Sequence, residues 1–349
     1  KCMGLQAQFE EFNKKIKMDF DERAELATKR DILLGILKEN KDLPSFEKFD
    51  QGSYAMFTGV EPLNKEYDID VGLRFNINKA DSDPIDIKKI IYDSLKNHTE
   101  YGAEIKKPCV TVKYKKNGEL AYHVDLVAYS YEDKDNKGSQ LYLARGTNND
   151  NQEWEEADPL ELIDLITNKF TDASERDQYR RIIRYLKRWK NIKFSSNGHA
   201  EPPSIGITLL AYDKFEPKEY DWVEMKFKDN DLEALINFVE KIKDLFVCVG
   251  KNDQNEDLYR LEFYLPVKPN TDVFSKMTDI QMTNFRNKII ELYNALLEVK
   301  DETDIIEQCK KLRKIFGDDF PVPEKENESK SQSNYIPPRS EAGAGTCDR

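Results

Sequence analysis

Apolar residues recur at helical spacing over residues 5–40: Phe9, Phe12, Ile16 and Phe20, then Ile32, Leu33, Ile36 and Leu37. That period predicts one long N-terminal helix, ended by Lys41-Asp42-Leu43-Pro44. The period then shortens to two. Residues 46–50 read as a short strand, and from Tyr67 to Phe75 the alternation is strict. Tyr67, Ile69, Val71, Leu73 and Phe75 point one way; Asp68, Asp70, Gly72 and Arg74 point the other. Asp83-Pro84 opens a helix over 85–97 bearing Ile87, Ile90, Ile91 and Leu95. Residues 109–115 and 120–129 form the strands of a hairpin turning at Asn117-Gly118. On the return strand Tyr122, Val124, Leu126 and Ala128 share one face, and His123, Asp125 and Val127 the other. A polar loop (132–139) and a short strand (140–144) follow. The order predicts a mixed sheet with helices packed on one side.

The second half keeps the helical period. The polar stretch 146–151, with acidic Glu153 to Glu156, reads as the boundary between a first lobe (1–152) and a helical second lobe (153–323). Asp158-Pro159-x-Glu161 is a helix start signal. A helix over 177–190 turns Ile182, Ile183, Leu186 and Trp189 inward and keeps Arg180, Arg184, Lys187 and Asn191 as a polar stripe. Pro202-Pro203-Ser204 begins an apolar helix, with Ser204 as its N-cap. Residues 232–249, 278–300 and 303–316 complete the helices, and 261–269 is an extended, proline-broken stretch that could pass near an acceptor substrate. Residues 324–349 are rich in Glu, Lys, Ser, Asn, Pro and Gly and are expected to be disordered.

Composition narrows the function classes. A 39% hydrophobic fraction supports a core, but the net charge of −12 argues against a chain whose main task is gripping long nucleic acid. No apolar run approaches 18 residues and no signal-peptide segment is legible, so no membrane association is expected. Five scattered cysteines without C-x-x-C spacing point to a reducing cytoplasm and away from structural zinc.

Candidate chemistry concentrates between residues 51 and 125. Gly52-Ser53 makes a small-residue turn after a strand, where backbone N–H groups can face an anion. Asp68 and Asp70 lie on one strand face roughly 7 Å apart, a pairing that repels unless a cation sits between, and hard oxygen ligands favour Mg²⁺. Asp125, flanked by Val124 and Leu126, is a charge that needs a partner. Each feature alone has a plainer reading: a turn, a solvated strand face, an exposed edge. The three together make a metal-ligand set.

Gln51-Gly52-Ser53, Asp68-x-Asp70 and Asp125 within His-Val-Asp-Leu resemble the nucleotidyltransferase superfamily with a polymerase β-type palm. Leu186-Lys187-Arg188-Trp189-Lys190 followed by Pro203-Ser204-Ile205-Gly206 is similar to the second lobe of its cGAS/DncV-like branch, the CD-NTases, over roughly residues 5–320. The resemblance implies an α+β palm plus a helical lobe closing the cleft. It also implies a nucleotidyltransferase that makes a cyclic di- or trinucleotide signal in anti-phage (CBASS) defence. Two Mg²⁺ ions, with Mn²⁺ as a substitute, would be held by Asp68, Asp70 and Asp125. Gln51, Gly52, Ser53, Lys187 and Ser204 would bind nucleoside triphosphates, ATP among them, with Lys187 on an exposed helix face. Ancillary defence proteins could act on the C-terminal tail. Two other readings stay open: a nucleotidyltransferase that extends RNA ends or makes linear oligoadenylate, and an inactive nucleotide- or partner-binding scaffold.

Overall fold

The computed structural model describes residues 4–18, 20–64, 66–116, 119–195, 200–217, 220–221, 226–227 and 229–324. The expected Asn117-Gly118 turn and the tail beyond Glu324 lie outside the described residues. The first lobe comprises α2 (Phe20–Glu39), β1 (Phe46–Gln51), α3 (Gly52–Ala55), β2 (Tyr67–Asn78), α4 (Pro84–Leu95), β3 (Ala103–Ile105), β4 (Val110–Lys116), β5 (Glu119–Tyr131), β6 (Leu141–Arg145) and β7 (Glu153–Ala157). Its strands form one sheet in the order β1-β2-β5-β4-β3, extended by β6 on β5 and β7 on β6. Only β2 and β5 run parallel; the other pairs are antiparallel.

The alternation read from the sequence sorts the two faces. Ile69, Val71, Leu73 and Phe75 of β2, with Val124 and Leu126 of β5 and Val110 and Val112 of β4, are all fully buried. They pack against Leu26, Leu33 and Leu37 of α2 and Ile87, Ile91 and Leu95 of α4. Helices therefore cover one face and leave the polar face of β2 and β5 for other work.

The predicted N-terminal helix is two helices. α1 (Leu5–Ile16) stops at Lys17, whose backbone is extended and bridges to Val60. The two apolar stripes serve different cores, which explains the break. Phe9 and Phe12 of α1 stack on Tyr185, Phe316 and Phe320 in the helical lobe, whereas the leucines of α2 face the sheet. The lobe boundary also moves. Glu153–Ala157 is strand β7, its charges met by Arg145 on Glu155 and Lys268 on Glu156, so the sheet runs five residues past the expected boundary at 152.

The second lobe contains α5 (Pro159–Thr167), α6 (Ala173–Lys193), α7 (Ser204–Lys214), β8 (Tyr220–Asp221), β9 (Lys226–Phe227), α8 (Asp231–Lys243), β10 (Val247–Lys251), β11 (Asp257–Arg260), α9 (Asp279–Lys300) and α10 (Ile305–Phe316). The helix expected over 232–249 ends at Lys243; Val247–Lys251 instead pairs with Asp257–Arg260 in an exposed ribbon. Asp158 holds the N-cap position of α5, but its side chain does not cap the helix. Its carboxylate accepts from Gln140 Nε2 and the Lys268 amide, tying β7 to the 261–269 segment. Among the described residues no helix is long and apolar enough to cross a membrane.

Candidate active site

The register of the sheet brings the predicted carboxylates together. Gln51 of β1 pairs with Asp70 of β2, Asp70 with Asp125 of β5, and Asp125 with Thr111 of β4. Paired residues share a face, so a polar row crosses four strands on the side opposite the helices. Asp68 lies two residues along β2, opposite His123. Asp68, Asp70 and Asp125 each offer an oxygen within 4.8 Å of the others. Asp125 faces the other two, as the sequence reading required.

Electrostatics mark this as a place where negative charge is crowded. The Asp68 carboxyl is held well above the usual carboxylate range, first by loss of surrounding water and then by the charges of Asp70 and Asp125. Asp70 is raised for the same reasons, burial first and Asp125 second. Lys106, in the β3–β4 connection, works against both rises. Asp68 keeps the most accessible surface of the three even though protein surrounds much of its carboxyl, and Asp70 and Asp125 are half-buried, so one side of the cluster stays open. Three clustered oxygens whose mutual repulsion a cation would relieve are a donor set that fits a hard divalent ion.

Asp125 is braced and Asp70 is closely crowded. Thr111, fully buried, donates its hydroxyl to Asp125 Oδ1. Gly52, at φ +66°, lies so close to Asp70 that a Cβ there would fall 1.9 Å from Oδ2. Only glycine permits both that backbone angle and that approach. Gln51 precedes α3 without capping it; its Oε1 accepts from the buried Tyr129 hydroxyl at 3.0 Å. Ser53 follows Gly52 in the single turn of α3, where its carbonyl accepts from the Thr58 amide. Thr111, Tyr129 and Lys106 escaped the sequence reading. They are a strand threonine, an aromatic with ordinary alternation and a loop lysine, and only the folded sheet brings them near the carboxylates.

In the second lobe the exposure expected of Lys187 is not found. Lys187 is 5% exposed, and its Nζ donates to the Thr58 carbonyl (3.2 Å) and hydroxyl (2.9 Å). Burial, then the charges of Lys190 and Arg184, push its ammonium down to about 7. One turn further on, Lys190 donates to Ser204 Oγ at 3.0 Å and pairs with Glu201 at 3.4 Å. Ser204 is not the cap of α7. Pro203 holds that position and Ser204 is the first helical residue, its hydroxyl turned to Lys190. Beside it opens a cavity of about 650 Å³, lined by Pro203, Ile205, Glu201, Leu265 and residues 271–273 and 275–277 from the second lobe, and by Arg145 and Glu155 from the sheet. Leu265 lies in the proline-broken stretch singled out from sequence.

Residues 46–129 match the family model of the DncV-like cyclic GMP-AMP synthase nucleotidyltransferase domain, a span holding the Gly-Ser turn and all three aspartates. A cyclic GMP-AMP synthase of Escherichia albertii is 30% identical over 169 residues, 46% of this chain and 35% of that protein. The matched span is thus a DncV-like nucleotidyltransferase domain. The chain spans about a third of the Escherichia albertii relative. A c-di-GMP synthase of Roseivirga ehrenbergii is 24% identical over 294 residues, 78% of this chain and 73% of that protein. The fold of CdnG of Bradyrhizobium diazoefficiens, solved with GTP, superposes with a TM-score of 0.65 at 15% identity, covering 91% of this chain and 96% of that one. Vibrio cholerae DncV gives 0.57 at 18% identity, covering 92% and 82%. At such identities these structures speak for the fold, a mixed-sheet palm joined to a helical lobe.

Proposed function

We propose that the chain joins nucleoside triphosphates into a cyclic di- or trinucleotide, releasing pyrophosphate at each step. The observation that carries this reading is the convergence of Asp68, Asp70 and Asp125 within 4.8 Å beside the Gly52 turn. Similarity to a cyclic GMP-AMP synthase and a c-di-GMP synthase supports the cyclic product.

In the reaction a ribose hydroxyl attacks the α-phosphorus, a new P–O ester bond forms, and the bond to the β-phosphate breaks. Asp68, Asp70 and Asp125 would hold Mg²⁺. That ion supplies charge neutralisation at the α-phosphate and leaving oxygens and lowers the pKa of the attacking hydroxyl. Thr111 keeps Asp125 turned inward, and the Tyr129 hydroxyl keeps Gln51 beside Asp70. The Gly52 and Ser53 amides, with the Lys190–Ser204 pair across the cleft, would grip the triphosphate tail. The 650 Å³ cavity next to Ser204 has the volume for a nucleobase. We take the enzyme to act in the cytoplasm in anti-phage signalling, a reading that the free Cys109, Cys248 and Cys309 suit.

Incubating the purified protein with the four ribonucleoside triphosphates and Mg²⁺ tests the proposal. Short products that resist phosphatase and carry the mass of a cyclic di- or trinucleotide are expected. Length-increasing products on added RNA would move the assignment to an end-extending transferase, and untouched triphosphates would remove the enzymatic reading.

A further inference from the structure

Buried ammonium groups are costly unless hydrogen-bonded, so what Lys187 does inside the protein needs an explanation. Three residues of α6 at helical spacing, Arg180, Arg184 and Lys187, reach the same two residues of the first lobe, Phe57 and Thr58. The Arg180 guanidinium lies 4.7 Å from the Phe57 ring centre. Arg184 Nη1 donates to the Phe57 carbonyl at 2.8 Å, while its Nε holds Asn13 of α1. Lys187 Nζ donates to both oxygens of the fully buried Thr58. Phe57 has a φ of +57°, a conformation a bulky residue adopts only when its surroundings impose it.

Thr58 is the link to the candidate site. Its amide donates to the Ser53 carbonyl at 3.1 Å, closing the turn that begins at Gly52. A short relay therefore runs from α6 to the phosphate turn: Lys187 ammonium, Thr58, Ser53. The same helix, one turn on, carries Lys190 and through it Ser204. Both halves of the proposed triphosphate grip are thus hung on one rigid rod.

We infer that Lys187 is a positioning residue: by holding Thr58 it fixes the Gly52-Ser53 turn relative to Ser204 across the cleft. This rests on the phosphate-binding reading of that turn. Because the turn faces the tail of the triphosphate rather than the reacting α-phosphorus, its displacement weakens ground-state and transition-state binding alike. KM should rise while kcat holds.

The decisive variant is Thr58→Val, which removes the hydroxyl acceptor, keeps the carbonyl, preserves the shape and changes no charge. It should weaken Mg²⁺-tripolyphosphate binding and raise the triphosphate KM by about tenfold, the effect of one charge-assisted hydrogen bond, with kcat within threefold. Lys187→Met should do the same or more, and the double variant should be little worse than Lys187→Met alone. Arg181→Met is the structural control. Arg181 is buried in the same helix and its guanidinium bonds Asp229 and Asp231 rather than the turn; its loss should lower Tm and leave KM within threefold. If Lys187→Met does not fold, Thr58→Val decides alone. A wild-type KM and tripolyphosphate affinity in Thr58→Val, or a rise in Arg181→Met matching it, would overturn the inference. Tripolyphosphate binding is read without turnover. A wild type that binds it but consumes no triphosphate would therefore count against the synthase reading and leave the positioning role standing.

Discussion

Converting Asp68 and Asp70 together to asparagine is expected to abolish nucleotidyl transfer, by about a thousandfold or more, several kcal/mol at roughly 1.4 kcal/mol per tenfold. The fold should survive, because both side chains lie on the face opposite the helical core. Stability should respond in a characteristic direction. Both carboxyls titrate above their ordinary range in the folded chain, so between about pH 4 and neutrality the native state holds protons that the unfolded state has released. The metal-free wild type therefore loses stability through this pair as pH rises. The double variant lacks that loss, so its Tm in EDTA should overtake the wild type's on going from acid to neutral pH. Added Mg²⁺ should raise the wild-type Tm and leave the variant's unchanged. Melting curves against pH, with and without Mg²⁺, check this. A double variant that still consumes triphosphates, or one that Mg²⁺ still stabilises, would remove these aspartates from the site.

Gly52→Ala is expected to lower turnover by about a hundredfold, the scale on which a misplacement of roughly 1 Å costs rate. The added methyl would sit 1.9 Å from Asp70 Oδ2, so the carboxylate must leave its place in the cluster. The φ of +66° adds about 1–2 kcal/mol of backbone strain for a residue with a Cβ. Both effects fall on the junction of the phosphate turn and the carboxylate cluster, so activity should fall far more than stability. Steady-state kinetics beside a melting curve separates them; turnover within threefold of wild type would mean that the close approach has no catalytic role.

The strands bearing the carboxylates were legible because each buries one whole face. Tyr67, Ile69 and Val71 alternate with Asp68 and Asp70, and the same rule put Asp125 opposite Val124 and Leu126. The alternation could not show that β2 and β5 lie side by side and parallel, which is what converts three scattered aspartates into a cluster. Strand β3 has three residues, too few for a period. Strand β7 hid behind its glutamates, whose partners Arg145 and Lys268 are remote in sequence. The break between α1 and α2 carries no glycine or proline and is set by which core each aromatic or leucine stripe completes. The partners of Lys187 and Lys190 were hidden in the same way. Both belong to a basic helix and both are buried, and only the packing of α6 decides that one meets Thr58 and the other Ser204.

The central claim, that aspartates from two separate strands share one cation, is tested most directly by titrating the protein with Mn²⁺ and following the free ion by electron paramagnetic resonance. Wild type should bind Mn²⁺ more tightly at pH 8 than at pH 6, since the carboxyls must give up protons to do so. Asp125→Asn on β5 should weaken binding as much as Asp68→Asn on β2, by about tenfold or more. An Asp125→Asn variant that binds Mn²⁺ like wild type would contradict the account.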